Sequence, residues 1–341
     1  MAAPDLPIVL YHYTASPYAR RIVWYLDLRK IPYYQCLQPV ILPRPDLTEH
    51  LGISYRRIPL LSIGRDVYLD TRLILAKLEA LFPPSAAHPP LSSAAPEHAA
   101  LTALLSRLTT DGGLFTSATQ LLPRDAGPFA DPAFARDRAQ LVGGKDSAFA
   151  RAPPRPEAAG EVRDFAALLE RTLLGDGRAW VLGTDGPALA DIEAVWLLLW
   201  LEGLPGVLPP GVISKEKFPR VFAWTERFRR VVGECRGQPK SIDGAEAAAV
   251  IARAPFAEPE GEVDTADLVV EAEGLAKGVE VKLWPTDWGF SHQDAGKLVS
   301  IDSGETVIET RGKAGTVRVH APRHGFRVRK ASDAVPEASV L

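Results

Sequence analysis

Ser16 stands directly before Pro17, at the opening of a run in which Tyr18, Ile22, Trp24, Leu26 and Leu28 mix with Arg20, Arg21, Asp27 and Arg29. Serine ahead of a proline in the first turn is a helix-start signal. A hydroxyl at that position can cap the helix, or it can donate to an anion that the helix N-terminus also favours. Asp70 and Thr71 open a second helical pattern that runs to about Leu81. They make a capping pair, at a helix start that suits a bound carboxylate. Between these two starts lies Arg56-Arg57-Ile58-Pro59, a basic pair before a proline that opens a strand; a solvated basic face is the plain reading of the arginines.

Other chemistry-bearing residues carry weaker signals. Tyr11 and Tyr13 end an apolar strand and suit core packing or a pocket wall. Cys36 lies on a second strand rather than at a helix start, so the sequence argues against a redox role. His320 and His324 are four apart in a β/turn context, which does not place them on one helical face; the sequence therefore gives no metal site. The turns at 175–177 (GDG) and 183–186 (GTDG) lack the strand-to-helix setting of a phosphate loop. Arg318, Arg323, Arg327, Arg329 and Lys330 form a basic cluster, read as a solvated strand face balanced by an acidic stretch before it.

The elements that must hold these residues fall into three segments. Pro7–Tyr13, Tyr33–Leu37, Ile58–Ile63 and Asp66–Leu69 read as strands, the last two as a hairpin through Gly64. With the two helices they give an α/β order over residues 1–85, closed by Pro83, Pro84, Pro89 and Pro90. Residues 96–240 read as helical: Glu97–Leu108, Val162–Leu174, Ala188–Leu201 and Phe218–Val232 show three- and four-residue apolar spacing. Arg124–Pro156 is less regular and reads as a long loop or lid. Residues 241–264 turn to alanine, proline and acid and predict a linker. From 265 to 332 the period changes to two, with glycines between short strands, and this predicts a small all-β module, drawn as an SH3-like barrel that folds on its own. Trp284, Trp288 and Phe290 within it leave a second reading open, in which the module packs on the rest of the chain.

Bulk properties set the outer limits. A length of 341 residues calls for two or three domains, and 46% hydrophobic with 24% charged residues is a globular composition. A net charge of -3 argues against nucleic acid as a partner. Two distant cysteines cannot frame a disulfide scaffold, which predicts a reducing compartment. The apolar run Ile192–Leu201 is too short to cross a bilayer, and Met1–Pro7 offers no basic residue ahead of an apolar run, so the expectation is a cytoplasmic protein without a membrane partner. The absence of asparagine removes N-glycosylation.

Several runs in one order then resemble the glutathione S-transferase family. YHYTASPYARRIVWYLDLRKIPYY is similar to that family's first strand, active-site loop, first helix and second strand, with ASPYARR nearest its serine and cysteine (tau, theta and omega-like) classes. RRIPLL at 56–61 and DTRLI at 70–74 resemble the elements that follow, and ALADIEAV (188–195) and FPRVFAWTERF (218–228) resemble two motifs of its helical domain. The tail beyond 240 is similar to an extension of fungal transferase-like proteins. The resemblance implies a thioredoxin-like N-terminal domain followed by an all-α domain, with glutathione as substrate or cosubstrate and a small hydrophobic electrophile as its partner. It also implies a homodimer as candidate assembly, and conjugation or isomerisation as the reaction; a scaffold whose site has decayed, recruiting partners through the β module, is the alternative. Residue by residue, it gives Ser16 the glutathione thiolate and a cis Pro59, with Ile58 pairing the cysteinyl backbone. Arg57, with Arg56, falls near the glycyl carboxylate, and Asp70 and Thr71 fall at the γ-glutamyl end. Ala188 departs from the family by lacking a capping hydroxyl, and Asp70 by being one methylene short.

Overall fold

The computed structural model describes residues 6–123, 127–143 and 155–332. Met1 to Asp5, on which part of the targeting argument rests, lie outside these, as does much of the expected loop 124–156; its described part holds a 3-10 turn, Gly127–Ala130, and a helix, Pro132–Leu141.

The N-terminal α/β unit forms as its alternation requires. Strand β1 (Ile8–His12) lies parallel to β2 (Tyr34–Leu37) and antiparallel to β3 (Leu60–Ile63), which turns through Gly64 at φ 55° into β4 (Asp66–Leu69). Helix α1 (Pro17–Leu28) follows β1, the short α2 (Pro45–Thr48) follows β2, and α3 (Thr71–Leu81) follows β4. Every residue of β1 is buried, because helices cover one face of the sheet and the C-terminal segment covers the other. The register is the feature that matters for chemistry. Tyr11 pairs with Leu60 and Leu60 with Leu69, so the loop after β1, the Ile58–Pro59 turn before β3 and the start of α3 after β4 emerge side by side at one end of the sheet.

A helical layer packs on α1 and α3: α4 (Pro96–Thr110), α5 (Leu114–Gln120), α6 (Pro132–Leu141), α7 (Arg155–Arg171), α8 (Leu189–Glu202) and α9 (Pro219–Glu234). Helix α8 is buried almost all round, which explains its unbroken apolar sequence; among the described residues no helix is long and apolar enough to cross a membrane. Ala188 offers no capping side chain, yet the reciprocal half of the box survives. The Asp191 carboxylate accepts from the N–H of Ala188 (2.9 Å) and of Val181 (3.0 Å), and from Nε1 of Trp224 on α9 (2.8 Å). One buried side chain thus caps α8 and ties it to α9.

The C-terminal segment departs from the expectation. The stretch 241–264, expected as a linker, carries the end of β5 (Lys240–Ser241) and helix α10 (Gly244–Arg253), whose Asp243 and Glu246 form a full capping box. After α11 (Leu268–Glu273) come β6 (Glu280–Pro285), β7 (Asp294–Ile301), β8 (Glu305–Gly312), β9 (Gly315–Pro322) and β10 (Phe326–Lys330). The expected strands are there, but in place of a free-standing SH3-like barrel they continue the N-terminal sheet. Ten strands run in the order β10-β6-β7-β8-β9-β4-β3-β1-β2-β5, with β9 parallel to β4 at Val67↔Val319 and Tyr68↔His320, and β5 parallel to β2. Sequence periodicity predicts strands but not their partners. Here both edges of the first four strands present unpaired backbone groups, and the tail pairs with part of each edge, at Tyr34–Gln35 on one side and Asp66–Tyr68 on the other. Its apolar faces complete the same core: Ile251, Leu283, Ile301, Val317 and Val319 pack in one cluster with Val9, Tyr11, Leu60 and Val67. Gly52, at φ 72°, marks the close approach, since a Cβ there would stand 2.6 Å from the carbonyl oxygen of Arg311.

The β4–β9 seam is sealed by charge as well. Nε2 of His320 lies 2.9 Å from Asp66 and Nδ1 lies 3.1 Å from Glu305, while Lys77 bridges Glu258 (2.6 Å) and Glu305 (2.7 Å). Burial alone would lower the His320 pKa, but its two carboxylate partners outweigh that and raise it. Glu258, Glu305 and His320 are close enough to share an ion by geometry, and the ammonium of Lys77 already spans the two glutamates. His324 goes elsewhere, to Asp111 at 2.9 Å.

Candidate functional site

Ser16 caps α1 as its sequence context requires: its Oγ accepts from the N–H of Ala19 at 3.2 Å, and Pro17 occupies the first turn. Only 2% of the residue is exposed. Accepting a bond leaves the hydroxyl proton available for donation. Next to it in the sheet register, the Ile58–Pro59 bond is cis. Asp70 and Thr71 start α3 in the third adjacent loop, with Asp70 capping through the N–H of Arg72 at 3.0 Å. Asp70 sits at φ 65° and ψ 133°, outside the left-handed helical region and in a part of backbone space that non-glycine residues rarely enter. Burial would raise the Asp70 carboxyl, but the Arg72 charge, its hydrogen bonds and the Arg57 charge together hold it below the usual carboxylate range.

The two arginines part company. Arg56 is buried against α6, with Nη2 2.9 Å from the Asp137 carboxylate, so it belongs to the packing between layers and not to a solvated basic face. Arg57 keeps 21% of its side chain exposed. Its Nε donates to the carbonyl of Trp288 at 2.7 Å, its Nη2 donates to the carboxylate of Asp287, and its guanidinium carbon lies 6.0 Å from the Tyr55 ring centroid. Both acceptors belong to the β6–β7 loop of the tail.

Sequence reasoning passed over two neighbours of these groups. Tyr18 feels the charges of Arg21, Arg57, Asp70 and Asp287, and burial is the largest cause of its raised pKa. Its ring meets Phe115 (centroids 4.9 Å) and Trp196 (4.8 Å), an aromatic wall that Trp200 extends (5.6 Å from Phe115), and the Trp288 ring lies against that wall, 5.1 Å from Phe115. Its position two residues after Ser16 was the available signal. Arg21 is wholly buried: Nη1 donates to the Thr71 hydroxyl at 2.6 Å and Nη2 to the Glu193 carboxylate and to Ser106 at 3.5 Å. It therefore fixes the start of α3 against α4 and α8. No single-sequence signal separates it from Arg20.

The remaining candidates, Tyr11 at this same end of the sheet included, face away from these groups. Tyr11 is fully buried in the core on the opposite sheet face, where burial, then Cys36 and Asp46, push its pKa up. The Cys36 thiol is pushed up to about 12, first by burial and then by Asp46, and stays protonated. A cavity of about 1460 Å³ lies along the other face of α1, lined by Arg20, Trp24, Asp27 and Tyr33 with Phe222 and Arg236. Arg57, Asp70 and Thr71 are not among the residues that line it.

Comparison with known proteins agrees with the architecture. Residues 10–86 match the glutathione S-transferase N-terminal domain family, and residues 117–237 match a domain of unknown function (DUF7962). No curated protein matches the chain. Among solved structures, a GST-like protein from Pseudomonas syringae shares 23% identity at a TM-score of 0.66, over 95% of this chain and 99% of that one. The beta-etherase LigF from Sphingobium sp. strain SYK-6 shares 18% identity at 0.50, over 67% and 98%. Rice GST1, solved in complex with glutathione, shares 19% at 0.47, over 69% and 94%. The first of these spans the tail as well as the two layers before it, so the extended fold is not peculiar to this chain. Residues 10–86 thus form a glutathione S-transferase N-terminal domain, set in a fold that the whole chain shares with the GST-like protein.

Proposed function

We propose that the three adjacent loops bind glutathione and that Ser16 holds its sulfur as a thiolate for transfer to a small hydrophobic electrophile. The observation that carries this reading is the register Tyr11–Leu60–Leu69, which brings Ser16, the cis Ile58–Pro59 turn and Asp70–Thr71 to one end of the sheet. Ile58 supplies backbone groups to the cysteinyl unit, Asp70 meets the γ-glutamyl ammonium, Thr71 at the α3 N-terminus meets its carboxylate, and Arg57 meets the glycyl carboxylate. The aromatic wall of Tyr18, Phe115 and Trp200 borders the electrophile.

The chemistry needed is modest. A thiol of pKa ~8.5 is only a few per cent ionised at neutral pH, and lowering it by ~2 units takes ~2.7 kcal/mol. A hydroxyl hydrogen bond to a charged sulfur supplies about 1.5–3 kcal/mol and a helix N-terminus ~0.3–2 kcal/mol. Isomerisation uses the same thiolate without consuming it. Ser16→Ala is expected to lower the conjugation rate by ~10²-fold with glutathione binding retained; unchanged turnover with a chromogenic electrophile would take the thiolate away from Ser16. The second reading, a non-catalytic binding protein working through its tail, is favoured by the pairing of Arg57 with Asp287 and of Asp70 with Arg72. A full chain that fails to bind glutathione in calorimetry would select it.

A further inference from the structure

The β6–β7 loop crosses from the tail into the cleft between the N-terminal sheet and the helical layer. Adjacent residues of it touch both walls. The Asp287 carboxylate lies on the Arg57 guanidinium, and the Trp288 ring lies 5.1 Å from Phe115 at the aromatic wall. Gly289 donates its N–H to Leu141 of α6 at 2.7 Å, and a Cβ at Gly289 would meet the Arg56 side chain at 3.0 Å, so the loop is seated rather than passing by. Thr286 is tied by its N–H to the carbonyl of Gly325 (2.9 Å) in the β9–β10 turn, which keeps the loop on the tail while its tip reaches the cleft.

A carboxylate on the cation followed by a flat apolar group on an aromatic wall has the chemistry of the ligand pair expected there: an anionic peptide and a hydrophobic electrophile. We propose that residues 286–292 are an intramolecular strap, in which Asp287 and Trp288 occupy the glycyl-carboxylate and electrophile positions until glutathione displaces them. The proposal rests on the reading that Arg57 receives a glutathione carboxylate. The strap is built to yield. Asp287 is 60% exposed, so its ion pair with Arg57 is solvated and weak, in the range of exposed pairs. Arg57 also retains guanidinium donors beyond the two in use, so an incoming carboxylate can engage before the aspartate leaves. The exchange swaps one carboxylate for another at constant charge. An incoming anion therefore faces competition at Arg57, not an uncompensated cation.

The test uses the full chain with glutathione as the probe. Asp287→Asn keeps the size of the side chain and removes the competing charge, and calorimetry is expected to give a two- to five-fold lower glutathione Kd. Arg57→Ala is expected to raise the Kd. In the unmodified chain, hydrogen exchange at the Gly289 amide, now held by Leu141, is expected to speed up when glutathione saturates the site. An Asp287→Asn Kd equal to or above that of the unmodified chain, or slower exchange at Gly289, overturns the strap and makes the loop a wall of the site. Loss of affinity in Arg57→Ala with no gain in Asp287→Asn overturns the strap alone. Failure of both the unmodified chain and Asp287→Asn to bind overturns the glutathione reading, and the strap with it.

Discussion

A chain ending at Ser241 is expected not to fold stably. Cutting there removes β6 to β10 and helix α10, and with them the partners of Val9, Leu60, Val67 and Leu69 on the sheet face away from α1. Each of those side chains is fully buried. Returning one to water costs about 1.5–3 kcal/mol, so four cost roughly 6–12 kcal/mol. The whole stability of a domain is about 5–15 kcal/mol, which makes the loss comparable to the total. The backbone cost adds to this, because β4 loses its parallel partner β9 and is left as an apolar edge open to other chains. Size-exclusion chromatography, near-ultraviolet circular dichroism and a thermal melt of residues 1–241 would read the outcome: aggregation, or a non-cooperative melt with helical signal retained. A soluble monomer melting cooperatively within a few degrees of the full chain would refute the shared core, and would restore an autonomous β module.

Asp70→Asn, which keeps the size of the side chain and a capping oxygen, is expected to raise the glutathione Kd by a few-fold to a hundred-fold, ~1–3 kcal/mol, with little change in melting temperature; calorimetry beside a melt separates a ligand role from a cap. Arg21→Met leaves Glu193 buried without its cation and is expected to destabilise the chain by about 3–5 kcal/mol, while Arg21→Met with Glu193→Gln recovers much of the loss; chemical denaturation of both variants measures the difference. Asp294, which accepts from the N–H groups of Ser54 (2.5 Å) and Tyr55 (3.2 Å), has its carboxyl raised to about 7 by burial. The folded chain therefore holds that proton over a window, from ~4 to the folded value, in which the unfolded chain has lost it, and stability falls as pH rises through the window, by an amount on the order of 4 kcal/mol at most. Asp294→Asn is expected to flatten that slope in melts taken from pH 4 to 8; an unchanged slope would mean that the buried carboxyl does not hold its proton.

The N-terminal fold was legible because its signals are local. Ser16-Pro17 and Asp70-Thr71 each announce a helix start, and each does cap its helix. The alternation around Gly64 announces a hairpin, and the hairpin forms there. The tail was legible as strands and illegible as topology. Val317 and Val319 alternate with Arg318 whether the strand pairs with β8 alone or with β4 as well, and nothing in a period of two names the second partner. Arg57 shows the same limit at the site. The resemblance offers it as a candidate ligand group, but the residue that meets it, Asp287, is 230 positions away, and only the fold brings them together. Arg56 and Arg57 are alike in sequence, and are separated only by which neighbour buries them: Asp137 of α6 for one, the β6–β7 loop for the other.

The joining of the tail to both edges of the sheet has a consequence for the site. A tail attached by a flexible linker would leave the β6–β7 loop at low effective concentration over the cleft. Here β9 is hydrogen-bonded to β4, and β4 leads directly into Asp70 and Thr71. The same tail places His324 on Asp111, which also receives Arg72, the partner of Asp70. Arg57 and Asp70, two of the groups assigned to glutathione, are thus each held, directly or through Arg72, by residues beyond 265. Loosening the β4–β9 seam, by removing a partner of His320 or a core residue such as Val319, would therefore act at a distance on ligand affinity. Tail and site are one mechanical unit, and a substitution in the seam should move the melting temperature and the glutathione Kd together, whereas a substitution at the far end of the outer strand β10, such as at Arg329 or Lys330, should move the melting temperature alone.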